Sequence, residues 1–163
     1  MKLPRRRAAP AAVRAVTLLP GERRLAWGLT DSGEALLATP TRLLLPGGNA
    51  LAWTAVEKAA WRPPVLVLTE VAEIEGTGRE RAFTIVQDAS LAEVVRARVT
   101  SSIAWSDRRR LEPRGAVRVV GRRVPGEDQL LWQLVFDRES DPSDPLVRAQ
   151  AANLLDAVRR AIG

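Results

Sequence analysis

Between Pro20 and Gly78 the apolar runs are each only four to seven residues long, and that pattern constrains the fold more than any other feature. Apolar runs at Arg24–Leu29, Ala35–Thr39, Arg42–Leu45, Ala50–Trp53, Val56–Trp61 and Val65–Val71 are separated by Asp31-Ser32-Gly33, Pro40, Pro46-Gly47-Gly48-Asn49 and Pro63-Pro64. Runs this short have the length of strands, and helices of ten or more residues do not fit between the breakers. Asp-Ser-Gly and Pro-Gly-Gly-Asn are hairpin chemistry, so the strands are expected to follow one another antiparallel. Gly76-Thr77-Gly78 marks a further turn, and Ala82–Val86 reads as a seventh strand.

The pattern then changes period. Ser90-Leu91-Ala92-Glu93 has the spacing of a capping box, and Leu91, Val94, Val95 and Val99 recur at helical intervals, which predicts a helix over 91–100. Three more strands are expected at Ile103–Leu111, Ala116–Val124 and Leu130–Phe136. In the last of these Leu130, Trp132, Leu134 and Phe136 alternate with Leu131, Gln133, Val135 and Asp137, leaving one face wholly apolar. Asp144-Pro145 sets an N-cap before a proline at the first helical position, and Val147, Ala151, Leu154, Val158 and Ile162 form a stripe, predicting a helix over 145–162.

Composition excludes much chemistry. The 163 residues contain no His, Cys or Tyr, which removes disulfides, imidazole and thiol catalysis and the usual zinc and haem ligands. Only Lys2 and Lys58 are available to activate a serine, and no Ser-x-x-Lys spacing occurs. Neither GxxxxGK[ST] nor GxGxxG is present. Asp137-x-Glu139-x-Asp141 has the opening of a calcium loop, but Pro142 stands where the loop needs Gly and Arg148 where it needs Glu. Glu70, Glu73 and Glu75 are read as a solvated hairpin edge, and Trp27, Trp53, Trp61, Trp105 and Trp132 as core positions within apolar strands. No cofactor is expected.

Charge is unevenly spread. The formal net charge is +6, but residues 1–20 carry five bases and no acid, so the chain after Pro20 is nearly neutral. Residues 96–124 hold nine bases against two acids, between two acidic segments. Two groups are therefore candidate contacts for an anionic partner: Arg5, Arg6, Arg7 and Arg14 in a basic arm, and Arg108, Arg109, Arg110, Arg118 and Arg122 in the middle segment. On a strand Arg118 and Arg122 share a face with Val120. Twenty-three Arg against two Lys, with abundant Ala, Val, Leu, Gly and Pro, matches the codon usage of a high-GC bacterial genome. The apolar stretch after Arg7 is broken by Arg14, and no run approaches a membrane span, so a cytoplasmic protein is expected.

Seven short antiparallel strands followed by a helix is the element order of a pleckstrin-homology-like (PH-like) barrel. Three segments resemble the bacterial PH/GRAM-like families: Leu19-Pro20-Gly21-Glu22-Arg23, Ala38-Thr39-Pro40-Thr41-Arg42-Leu43-Leu44-Leu45, and Leu51-Ala52-Trp53-Thr54-Ala55-Val56-Glu57-Lys58-Ala59. The similarity covers residues 19–100. It implies a PH-like antiparallel β-barrel closed by a helix at 21–100 in an α+β chain; residues 1–20 read as a flexible or weakly helical basic arm, and 101–163 as a C-terminal three-strand plus helix extension packed on the barrel. It also implies a non-catalytic scaffold that recognises a protein or peptide. The alternative is electrostatic binding of nucleic acid or an anionic membrane through the basic groups. Lipid-binding relatives hold the head group with bases in the first hairpin loop, where this chain has Asp31 and Glu34.

Overall fold

The computed structural model describes residues 8–72 and 78–162, so Arg5, Arg6, Arg7, Glu73, Glu75 and most of the Gly76–Gly78 turn lie outside the described residues. A short helix α1 (Ala11–Arg14) precedes seven strands: β1 (Ala26–Thr30), β2 (Ala35–Ala38), β3 (Arg42–Leu44), β4 (Ala50–Ala52), β5 (Val56–Arg62), β6 (Val65–Glu70) and β7 (Glu80–Ala89). Helix α2 (Leu91–Ser102) follows, then β8 (Ile103–Arg110), β9 (Ala116–Arg123), β10 (Leu130–Phe136) and helix α3 (Pro145–Ile162). From β1 to α3 the element order agrees with the sequence reading.

β1 to β7 form one antiparallel sheet in the order β4-β3-β2-β1-β7-β6-β5. β7 is the strand that curls it. Residues 80–84 pair with β6 and residues 85–88 with β1, and the register shifts at Leu29/Thr30 where the pairing changes hands. That shift adds local twist, as a bulge does. The sheet is a half-barrel, because β4 pairs with β3 alone and β5 with β6 alone. β4 is three residues long and passes into a 3-10 turn at Trp53–Ala55, so the chain does not stay extended long enough to pair across the gap.

The concave face buries Leu36, Leu43, Trp53, Val56, Leu66 and Leu68, and α2 fills it with Leu91, Val95 and Val99. The helix comes close because β1 carries Gly28: a Cβ there would lie 2.8 Å from Cδ2 of Leu91. The convex face is covered as well. Val13 is fully buried against Leu37 and Leu44, with Ala9, Val16, Leu18, Trp27 and Leu29 around it. From Ala9 onward the stretch expected to be flexible is therefore packed on the sheet, and Arg24 Nη2 donates to the carbonyl of Arg14 at 3.2 Å.

The capping box does not form. Ser90 is the single residue between β7 and α2, and it turns the chain in the left-handed region (φ 60°, ψ 20°). Its hydroxyl makes no cap bond; instead Asp88 Oδ1 accepts the Leu91 N–H at 2.6 Å. The same kind of acceptor starts α3, where Asp144 Oδ1 takes the Leu146 N–H at 2.8 Å just ahead of Pro145, as the sequence predicts.

The three segments that carry the family resemblance meet in one network. Glu22 Oε1 accepts from Thr39 Oγ1 (2.8 Å) and Arg42 Nε (2.9 Å), while Oε2 accepts from Arg42 Nη2 (2.9 Å) and the Leu19 N–H (2.8 Å). Trp53 Nε1 donates to the Thr39 carbonyl at 2.9 Å. These residues are structural: they clamp the β2–β3 hairpin to the turn at Pro20-Gly21 and to the chain after β4. The Glu22 side chain is only 5% exposed. The bidentate Arg42 guanidinium first, and then the Leu19 and Thr39 bonds, hold its carboxyl at about 2 against the opposing effect of burial.

A group whose pKa is depressed on folding contributes stability above its unfolded pKa, and that contribution is lost as pH falls through the folded value. We therefore predict that Glu22→Gln costs about 3 kcal/mol near neutral pH, and that the gap to the parent chain closes between about pH 4.5 and pH 2. Urea unfolding across that range measures it; a gap that does not change with pH would contradict the assignment.

β8, β9 and β10 form the second sheet, a meander in the order β10-β9-β8. One face carries Val117, Val119, Trp132, Leu134 and Phe136, and α3 lies on it through Val147 and Ala151. Trp105 and Trp132 meet edge to face (5.8 Å between centroids) across Gly121, where a Cβ would come within 3.0 Å of the Trp132 ring. The other face, with Arg118, Val120, Arg122 and Gln133, turns toward the half-barrel. Gln133 Nε2 donates to the Thr54 carbonyl at 2.7 Å.

Candidate functional site

The arginines picked out in the sequence do not form one surface. Arg14 is exposed at the end of α1, and Arg5, Arg6 and Arg7 lie outside the described residues. Arg108 and Arg118 are cross-strand partners, whereas Arg109 pairs with Val117 and points to the opposite face. Arg108 Nη2 lies 3.2 Å from Asp137, Arg109 Nη2 lies 2.7 Å from Asp107, and Arg118 is 4.0 Å from Glu57. Arg110 is exposed.

Arg122 corrects the expectation outright: it is fully buried, with 0% exposure. Strand parity places it on the face of Arg118 as expected, but that face covers the half-barrel instead of meeting solvent. Its Nε donates to Gln133 Oε1 (2.8 Å) and its Nη1 to Ser102 Oγ (2.6 Å), and its remaining N–H groups reach the Val99 and Glu57 carbonyls at 3.5 Å. Burial lowers its pKa, the Arg118 charge adds to that, and Glu57 opposes it.

The acids are likewise occupied by local structure. Asp137 accepts from the Ser140 hydroxyl (2.7 Å) and from its N–H (3.1 Å), which together with Arg108 holds its carboxyl below the usual range. Asp141 accepts from the hydroxyl and N–H of Ser143, and Asp144 caps α3. Glu70 on β6 accepts a hydrogen bond from Arg81 on the neighbouring strand β7. Among the described residues no group of three Asp or Glu side chains is arranged to hold a metal ion. The first hairpin loop bonds to itself through Thr30, Ser32 and Glu34 and contains no base.

The structure instead brings together residues that strand patterns do not connect. A cleft of about 1500 Å³ runs between the β5–β6–β7 side of the half-barrel and the second sheet. One wall carries Glu57, Lys58, Thr69 and Arg79; the other is β10 from Trp132 to Phe136, with Ala151 and Leu155 of α3 beside it. β10 is an edge strand, bonded to β9 alone.

Ladder parity fixes which of its main-chain groups face the cleft. The Asp137 N–H donates to the Ala116 carbonyl at 3.0 Å, so 137/116 is a hydrogen-bonded pair, and with the observed register 135/118 and 133/120 are too. The N–H and C=O of Trp132, Leu134 and Phe136 therefore point away from β9. Among the described residues no main-chain bond from another segment reaches them.

The other sheet edges are blunted. β4 is three residues long. β5 has the carbonyl of Glu57, and just before it that of Thr54, taken by Arg122 and Gln133. β8 carries exposed Arg108, Arg109 and Arg110 and a register shift at its start. Short strands, charges and irregularities are the standard means of discouraging strand addition. β10 has none of them over Leu-Leu-Trp-Gln-Leu-Val-Phe. The apolar stripe of α3 continues past the cleft: of its five stripe residues only Val147 and Ala151 are buried, and Ile162 is 45% exposed.

A second hollow, about 680 Å³, lies along the outer side of α2 near Trp61, Glu93 and Arg96; Asp88, which also lines it, is committed to capping the helix. No helix among the described residues is long and apolar enough to cross a membrane. No family model, curated protein or solved structure matches this chain.

Proposed function

We propose that the chain is a non-catalytic binding module, its half-barrel a PH-like unit, and that it recognises a protein partner by taking an extended peptide as a fourth strand on β10. The observation that carries this reading is the outward main chain of Trp132, Leu134 and Phe136 in a cleft, on the one sheet edge left long, apolar and unblunted. Strand addition draws its affinity from main-chain hydrogen bonds and its selectivity from pockets for alternate side chains. Three outward residues offer up to six such bonds over about 17 Å of strand. The PH-like assignment rests on seven antiparallel strands followed by a helix packed into the concave face.

The test is an amide NMR titration of the full chain with three blocked heptapeptides that alternate Val with Asp, Ser or Lys. Saturable shifts of the Trp132, Leu134 and Phe136 amides, larger than those of Gln133 and Val135, are expected with at least one of them. No binding by any of the three at about millimolar concentration would overturn the reading. So would shifts confined to Arg108–Arg114 with single-stranded DNA as the probe, which would move the function to the basic segment.

A further inference from the structure

From the unpaired charges along the cleft we infer that it selects strands in which acidic side chains alternate with apolar ones, an inference that rests on strand addition to β10. A strand laid beside β10 sends alternate side chains to opposite faces of the enlarged sheet. One set lies on the face already occupied by α3, where Ala151 and Leu155 line the cleft and the side chains of Leu134 and Phe136 are half-buried. That side favours Val, Leu or Ile.

The other set faces the half-barrel, and the charge along the described lining of the cleft is one-sided. Lys58, Arg79 and Arg138 line the cleft, are exposed, and have no ion pair among the described residues. Of the acids in the lining, Glu57 faces Arg118 and Asp137 is bound by Ser140 and Arg108. Among the described acids of the lining Glu80 alone has no such partner, so the described lining leaves an excess of positive charge for a ligand. These cations are exposed at the cleft, so their attraction for a ligand is screened by salt.

The same three heptapeptides test it, with affinities read by calorimetry at low and physiological salt. The Val/Asp peptide is expected to bind about tenfold or more tighter than Val/Lys, with Val/Ser between, and the spread should narrow as salt rises. In the combined variant Lys58→Glu, Arg79→Glu, Arg138→Glu, all at exposed positions, the order should invert. If Val/Asp and Val/Lys bind equally while the Leu134 amide still shifts, the charge selection is wrong and strand addition stands. If the variant keeps the parent order, charge selection comes from other residues and the inference falls. If no peptide moves the β10 amides, both fall.

Discussion

Replacing Arg122 with alanine should cost about 3–5 kcal/mol of folding stability, the largest single-residue effect in this chain. The guanidinium is fully buried at a three-way junction, where the end of α2, the Gln133 side chain of β10 and the main chain of β5 converge. Among the described residues no carboxylate lies within ion-pair distance of it. Its charge is met by dipoles: the Val99 carbonyl and the Ser102 hydroxyl belong to the last turn of α2, the negative end of that helix. Truncation removes a large buried volume and leaves Gln133 Oε1 and Ser102 Oγ without their donor.

Arg122→Met separates the two contributions, since it restores most of the volume and none of the donors; a loss of about 1–3 kcal/mol is expected. Arg122→Lys keeps the charge but not the planar fork, and should fall between them. Urea unfolding followed by circular dichroism and tryptophan fluorescence measures all three. A loss under about 1 kcal/mol for the alanine variant would show that the junction is not held by this side chain.

Arg122 also shows where sequence reading stops. Period-two alternation correctly placed Arg118, Val120 and Arg122 on one face, but it does not say whether that face meets solvent or another part of the chain. β9 is the centre of its sheet and is buried on both faces, Val117 under α3 with Val119 on the same face, and Val120 and Arg122 toward the half-barrel. The Ala-rich start of the chain misled for a related reason. Its five bases without an acid suggested a flexible arm, yet the convex face offers Leu37 and Leu44, against which Val13, Val16 and Leu18 pack.

Local chemistry was legible where the signal is local. The hairpin turns, the α3 start at Asp144-Pro145 and the bounds of β10 all follow from residues within a few positions of one another. Ser90 had the right neighbours for a capping box, but the abrupt passage from β7 to α2 forces it into a left-handed conformation and leaves the cap to Asp88. The cleft was not legible at all. The alternation in β10 was plain, but that β10 lies at an edge, and that its edge faces β5, are properties of strand order that no spacing encodes.

The second large effect concerns that edge, on which the proposed binding rests. Because the Leu134 N–H points away from β9, Leu134→Pro removes a donor from the cleft without breaking the β9 ladder, a position where strands tolerate proline. Val135→Pro instead deletes an inward N–H and should unfold the second sheet, at a cost of about 3 kcal/mol or more. Leu134→Ala controls for the lost side chain, which packs beside Val117 and Ala151.

The measurement is the affinity of the tightest-binding heptapeptide for the Leu134→Ala and Leu134→Pro chains, each first shown to be folded by its amide spectrum. The account predicts that the proline variant binds about tenfold to a hundredfold more weakly than the alanine variant, because one peptide carbonyl loses its donor and is left unpaired in the cleft. Equal affinities would mean that the outward edge of β10 does not hold the ligand.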